Sequence, residues 1–322
     1  MYPSYLNFHQ SAELKKRAEK LESLLESCAL CPRQCRVNRL KGEQGVCRAG
    51  ALARVYSFHL HQGEEPPISG TRGSGTIFFS HCNSHCLYCQ NYPFSQLGQG
   101  KDFSASELAE VMLALQKQGA HNINLVSPTQ FSAQIVRALS IAVQLGLKIP
   151  LVYNTMAYDS LEVLRLLEGL VDIYLPDIRY ADDETALKYS SLPNYVQVNQ
   201  AAVREMYRQV GNLKVEKGLA QRGLIVRHLV LPHQLSGTVK VMEFLAREIS
   251  QDVAFSLMSQ YYPLYQAESF PLIARQINPE EWQEAVAASS RFGLENGWIQ
   301  ERPSRVEREK FLGVHLKPVK NC

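Results

Sequence analysis

Six short apolar runs alternate with helical patterns between residues 76 and 258, and this rhythm constrains the fold more than any other feature of the chain. The runs are 76–80, 123–126, 150–154, 171–175, 224–229 and 253–258. Between the first two, Ser104 and Glu107 stand at capping-box spacing, Phe103 and Leu108 form a hydrophobic staple, and Leu108, Val111, Met112 and Leu115 make one buried stripe. Helical periodicity follows over 130–145, from Asp159 with Glu162 at the same capping offset, over 181–189 and 195–210, and after Thr238. Strands separated each time by helix imply a parallel α/β sheet. Chemistry on such a sheet sits at the carboxyl ends of its strands.

The first run ends in such chemistry. Cys82, Cys86 and Cys89 stand at C-x3-C-x2-C spacing on the loop that leaves it. Three thiolates on so short a loop form a soft-metal site one ligand short of a closed zinc or cubane. The alternative is a zinc knuckle closed by His81 or His85. The aromatic Tyr88 directly before the last cysteine, and Asn91-Tyr92 after it, favour the open site. A second set lies upstream. Cys28, Cys31, Cys35 and Cys47, at C-x2-C-x3-C-x11-C spacing, supply four soft ligands on a polar, turn-rich loop. Structural zinc, an auxiliary iron–sulfur cluster and plain thiols all remain open there. Arg33, Arg36 and Arg39 surround this second set, either to offset its charge or as a solvated face.

The C-x3-C-x-(aromatic)-C loop resembles the signature of the radical S-adenosylmethionine (SAM) enzymes, and the chain looks closest to the homologues of pyruvate formate-lyase activating enzyme. Residues 69–76 and 172–177 extend the likeness. The resemblance implies a partial (β/α)6 TIM-like barrel rather than a flat sheet; with the residue patterns, the chain divides into a small Cys-rich N-terminal module over 1–70, the barrel over 71–275, and a C-terminal helical extension over 276–322. It implies a [4Fe-4S] cluster on Cys82, Cys86 and Cys89, with SAM chelating the fourth iron and Tyr88 beside the adenine. The reduced cluster would cleave SAM to a 5′-deoxyadenosyl radical, without a catalytic acid or base from the barrel. An electron donor such as flavodoxin or ferredoxin is implied as a partner.

The other strand ends then form the wall of one site. Ser127 and Thr129 stand where the family carries a Gly-Gly-Glu-like run, so they are candidates to meet the methionyl amino group, or else form a loop and helix cap. Asn154 opens a run similar to Asp-Thr-Asn-Gly, with the amide in place of the acid. Asp177 and Arg179 resemble an Asp-x-Lys pair suited to the methionyl carboxylate or a substrate backbone, or form a surface ion pair. Arg227, inside an apolar strand, needs an anionic or polar partner. The resemblance places it at the SAM ribose and carboxylate, with Asp177 on the preceding strand in reach. Gln260 belongs to a polar and aromatic rim after the last strand.

Composition narrows the setting. Lys and Arg number 34 against 31 Asp and Glu, a net charge of +3, so no nucleic-acid or membrane footprint is expected. No apolar run is long enough to span a bilayer, and the N-terminus lacks the pattern of a secretory signal. Seven of the eight cysteines fall in the two sets, which points to metal in a reducing, cytoplasmic setting. A helix is expected over 11–27, and the stretch from Glu64-Glu65-Pro66-Pro67 to Gly75 reads as a linker. Asn278-Pro279-Glu280-Glu281 starts a helix that runs to about 294, and the tail containing Cys322 carries no pattern. Three functions follow from these readings: activation of a glycyl-radical partner protein, radical chemistry on a small molecule or another protein side chain, or a non-catalytic iron–sulfur or zinc protein.

Overall fold

The computed structural model describes residues 2–9 and 11–300; the tail with Cys322 lies outside them. Among the described residues ten α-helices and ten strands follow in chain order: α1 (Glu13–Ser23), β1 (Ala53–His61), α2 (Pro66–Ser69), β2 (Ser74–Phe79), α3 (Tyr92–Ser95), β3 (Lys101–Phe103), α4 (Ala105–Lys117), β4 (Ile123–Val126), α5 (Ser132–Gln144), β5 (Leu151–Thr155), α6 (Leu161–Leu167), β6 (Ile173–Pro176), α7 (Asp183–Ser190), α8 (Tyr195–Val210), β7 (Lys214–Glu216), β8 (Leu219–Leu229), α9 (Thr238–Phe244), β9 (Ala254–Met258), α10 (Pro279–Arg291) and β10 (Gly297–Ile299).

The six anticipated strands are β2, β4, β5, β6, β8 and β9, all parallel and adjacent in that order. The sheet runs β10-β9-β8-β6-β5-β4-β2-β1-β3 and does not close on itself. It is a partial barrel. Its interior is packed by Val152, Ile173, Leu175, Ile225 and Ala254, one alternating set of side chains. The opposite faces of the strands join the helices in the larger core, which holds Ile77, Leu125, Tyr153, Tyr174 and Val226; α4, with its stripe Leu108, Val111, Met112 and Leu115, packs there against β2 and β4. Burying such stripes is what fixes helices of this length in water.

Local signals set the boundaries. Ser104 and Glu107 form a complete capping box on α4, and Asn278 with Glu281 forms another on α10, with Pro279 at its first position. Asp159 does not cap α6, contrary to its spacing. It is fully buried and accepts hydrogen bonds from Thr155 Oγ1 at 2.6 Å, Thr129 Oγ1 at 2.8 Å and Tyr153 Oη at 3.1 Å. The residue at the N-cap of α6 is Ser160.

Two further departures matter for the site. The stretch expected as a linker is part of the barrel. β1 pairs antiparallel with β2, and α2 inserts Ile68 among the interior side chains. An expected boundary at residue 70 therefore falls inside a hydrogen-bonded unit. At the other edge, β10 adds a short parallel strand to β9. α1 lies against α5, with Leu14, Ala18 and Leu21 buried and Glu22 paired to Arg137. No helix among the described residues is long and apolar enough to cross a membrane.

Candidate cofactor site

The carboxyl ends of the strands enclose one cavity of about 320 Å³, within the range of small-molecule sites. All three cysteines of the loop after β2 line it, with Tyr88, Ser127, Asn154, Asp177, Arg179, Arg227 and Gln260 from the loop and the strand ends. Cys82 and Cys86 are buried, and Cys89 is partly so.

Each sulfur is met by hydrogen-bond donors. Ser84 N–H lies 3.4 Å from Cys82 Sγ, and the Ser84 hydroxyl lies 3.0 Å from Cys86 Sγ. Ser95 Oγ stands 3.0 Å from Cys89 Sγ, and Ser190 Oγ 3.0 Å from Cys86 Sγ. Ser190 begins a longer chain, because Tyr180 Oη lies 2.6 Å from it and Tyr88 Oη 2.6 Å from Tyr180. A thiolate only accepts, so once Cys86 is ionised the hydroxyls must point one way: Tyr88 to Tyr180, Tyr180 to Ser190, Ser190 to sulfur. Burial pushes the Cys82 thiol up, and pushes Cys89 up to about 11 with help from the nearby Cys86. Buried sulfurs of this kind become anionic only against a positive centre.

Neither histidine of the loop joins the cavity lining. His85 turns its ring to Val46 O at 3.2 Å, and His81 packs against Gly98. A knuckle closed by a histidine is thus not the arrangement present. Among the described residues no three Cys, His, Asp or Glu side chains gather around a single-ion position.

The wall departs from expectation at two residues. Thr129 does not line the cavity; its hydroxyl serves Asp159 and Thr155 behind β4 and β5. Arg227 finds its partners in Glu64 and Glu65, not in Asp177. Its Nε and Nη2 donate to Glu65 at 2.8 and 2.6 Å, and Nη2 also donates to Glu64. Asn124 Nδ2 holds Glu64 from the other side at 2.9 Å. Burial pushes the Glu65 carboxyl up, but Arg227 outweighs it and holds the group below its ordinary value. Asp177 pairs with Arg179 at 2.8 Å, which leaves its Oδ1 buried in the cavity wall without a partner. Gln260 points back to Met258 Sδ at 3.3 Å, and its carbonyl accepts from Gln90 at 2.7 Å.

Neighbouring His228 faces the other way, as strand alternation requires. Its ring lies 2.7 Å from Ile178 O and 2.9 Å from Thr238 Oγ1. Burial lowers its pKa to about 4. A histidine depressed from 6.5 leaves the unfolded chain binding the extra proton between those values, so stability falls as pH drops through that window. At about 1.36 kcal/mol per pH unit, the wild type should lose about 2 kcal/mol between pH 6.5 and 5 that His228→Gln does not lose. Urea unfolding of both proteins at the two pH values measures the difference, and equal pH slopes would refute it.

Residues 76–219 match the family model described as the radical SAM superfamily. An uncharacterised protein of Methanocaldococcus jannaschii is 30% identical over 292 residues, covering 88% of this chain and 80% of that one. The chain belongs to the radical SAM superfamily. Among solved structures, a domain of pyruvate-formate lyase-activating enzyme from Bacteroides vulgatus matches with a TM-score of 0.36 and 14% identity, over 50% of this chain and 86% of that one. The FeFe-hydrogenase maturase HydG of Carboxydothermus hydrogenoformans matches with a TM-score of 0.49 and 13% identity, over 73% of this chain and 54% of that one.

Radical SAM membership implies a [4Fe-4S] cluster and SAM, and the residues present fit both. Three converging thiols ringed by N–H and O–H donors suit a cluster that keeps one iron open. The orphaned Asp177 Oδ1 and the adjacent Arg179 suit the ammonium and carboxylate of an amino acid. Sequence reasoning missed Glu64, Glu65, Ser84, Ser95, Tyr180 and Ser190. Only Ser84, between two of the cysteines, offered a local signal.

Proposed function

We propose that Cys82, Cys86 and Cys89 hold the [4Fe-4S] cluster of a SAM-cleaving enzyme whose radical activates a partner protein of the glycyl-radical type. The observation that carries this reading is the three-thiol loop opening into the cavity at the strand ends, with neither His81 nor His85 of that loop in the lining. When bound, the cluster supplies the electron that splits the C5′–S bond of SAM, giving the 5′-deoxyadenosyl radical.

The chain's own work is to bind, orient and exclude water. Ser84, Ser95 and Ser190 donate to the sulfurs and moderate their charge. Asp177 Oδ1 accepts from the methionyl ammonium, and Arg179 meets the carboxylate. Asn154 and Ser127 line the same wall, and the Tyr88 ring flanks the adenine, braced edge-on by Tyr261 at 5.4 Å. Arg227 reaches the ribose and carboxylate region with Nη1, the part of its guanidinium that the glutamates leave over. Gln260 and Gln90 close the rim on the side of Trp298 and Gln300. The four N-terminal cysteines hold a second metal centre. Seven free cysteines among the described residues accord with a reducing cytoplasm and with supply of electrons by a flavodoxin- or ferredoxin-like donor.

Radical chemistry on a small molecule is the second reading, favoured by the cavity's two buried ion-pair groups, Asp177–Arg179 and Glu64–Glu65–Arg227. Anaerobic reconstitution with dithionite and SAM tests the shared core, with 5′-deoxyadenosine as the expected product. Addition of a glycyl-radical enzyme should then give a glycyl doublet by electron paramagnetic resonance (EPR). Cleavage of SAM without that doublet across the candidate partners would favour the small-molecule reading.

A further inference from the structure

The four N-terminal cysteines are the largest feature that the cavity leaves unused. None of residues 28–50 lines it, yet the loop they form is the outer wall of the active-site cysteine loop. Arg33 donates to Asn83 O at 2.6 Å and to Ser191 O at 2.5 Å, and His85 meets Val46 O at 3.2 Å. Asn83 adjoins Cys82 and Arg33 lies two residues after Cys31, while Val46 and His85 adjoin Cys47 and Cys86. Two short routes of covalent and hydrogen bonds therefore join the two cysteine sets.

The four thiols themselves line one small cavity. Gly45 is required there, since a Cβ on it would fall 2.8 Å from Cys35 Sγ, and Val46 N–H points at the same sulfur from 3.4 Å. Against this cavity lies Arg39, only 1% exposed. Its guanidinium donates to Gly50 O and Gln130 O and lies over the Phe131 ring, and no carboxylate pairs with it among the described residues. A guanidinium is always charged, and a buried charge needs a counter-charge. A metal centre on four thiolates is a dianion and supplies it. Zinc and an iron–sulfur centre both accept four thiolates, and only the iron–sulfur centre can carry an electron.

The outer face is also distinctive. Residues 28–50 contain five Lys or Arg and one Glu, a local charge of +4 in a chain of net +3. Arg36, Lys41 and Arg48 are exposed, around the exposed apolar side chains of Leu40 and Val46. A small apolar patch with a basic rim, over a metal centre whose ligands Cys35 and Cys47 are partly exposed, suits an acidic electron-transfer protein.

We propose that this module is the electron-entry port: Cys28, Cys31, Cys35 and Cys47 hold an iron–sulfur centre, and the basic face around Cys35 docks an acidic one-electron donor. A reduced flavodoxin or ferredoxin loses one electron to this centre, which passes it toward Cys82, Cys86 and Cys89. No bond is made or broken, and the donor leaves oxidised by one electron. The inference rests on the radical SAM reading, which supplies the consumer of the electron. Donor and substrate then approach different faces and do not compete.

The test uses the full chain in two forms. The triple variant Cys82→Ala/Cys86→Ala/Cys89→Ala should retain about four irons and as many sulfides, and show a reduced-cluster EPR signal on mixing with flavodoxin hydroquinone. Zinc in place of iron, or no metal, overturns the proposal. In the second form, Arg36→Glu/Lys41→Glu with all seven cysteines kept should slow reduction by flavodoxin hydroquinone at least tenfold at low salt, with the gap shrinking as salt is added. Its reduction by dithionite should be unchanged, which guards against misfolding as the cause. Equal flavodoxin rates in both proteins overturn the docking face. Wild-type cleavage of SAM under dithionite reports on the radical SAM reading separately, so failure of the port and failure of that reading are distinguishable.

Discussion

Cys86→Ala should abolish formation of 5′-deoxyadenosine and remove the active-site cluster, while iron at the four N-terminal cysteines persists. Cys86 is the middle ligand, held by Ser84 and Ser190 and continued through Tyr180 to Tyr88. Alanine removes a third of the thiolate set, and two ligands from one loop do not hold a cubane. Total iron should fall by about half, from roughly eight atoms per chain to about four. Folding should largely survive, because the lost contacts are those of one buried polar group, typically about 1–3 kcal/mol. Ser190→Ala separates ligation from tuning: its iron content should stay at the wild-type level while the reduction potential of the cluster shifts. Iron analysis with product chromatography decides the matter, and dithionite-driven SAM cleavage by Cys86→Ala at the wild-type rate would remove Cys86 from the cluster.

What could be read in the sequence was what depends on near neighbours. The six parallel strands each fit within a short apolar run, and the capping boxes at Ser104 and Asn278 close over three residues, so both survive without tertiary knowledge. The cysteine loop is similarly self-contained. Glu64 and Glu65 were hidden because their meaning lies more than 160 residues away, on Arg227. Followed by two prolines, a pair of glutamates looks like a solvated linker until the strand that neutralises it is brought alongside. Asp159 misled for a related reason. Its spacing to Glu162 imitates a cap, but Thr129, Tyr153 and Thr155 reach it from upstream and draw it into the interior. β10 is short and exposed, and exists because β9 offers it a parallel partner.

Arg227→Met should be the most destabilising substitution in the barrel, and its pH dependence should identify the cause. Glu64 and Glu65 have side chains only 6% and 5% exposed, and Arg227 meets both. Removing one member of a buried ion cluster typically costs about 3–5 kcal/mol, because the remaining charges are left uncompensated. In the wild type, Glu65 titrates below its ordinary 4.5, so its contribution to stability is present above that value and is lost as pH falls through the folded one. Without the arginine, burial is the largest influence left on Glu65, ahead of the hydrogen bonds from Ser256 and the backbone, and raises its pKa. The sign then reverses, and the variant should be less handicapped at pH 5 than at pH 7. Adding Glu64→Gln and Glu65→Gln to Arg227→Met should restore most of the stability, since a neutral trio of similar volume leaves no charge to solvate. The restored triple variant also isolates the ligand question. If Arg227 Nη1 meets SAM, that protein should bind SAM about tenfold more weakly with its iron content intact, the usual scale for one charge-assisted hydrogen bond. Unchanged affinity by equilibrium dialysis would restrict Arg227 to clamping the α2 segment under the cavity.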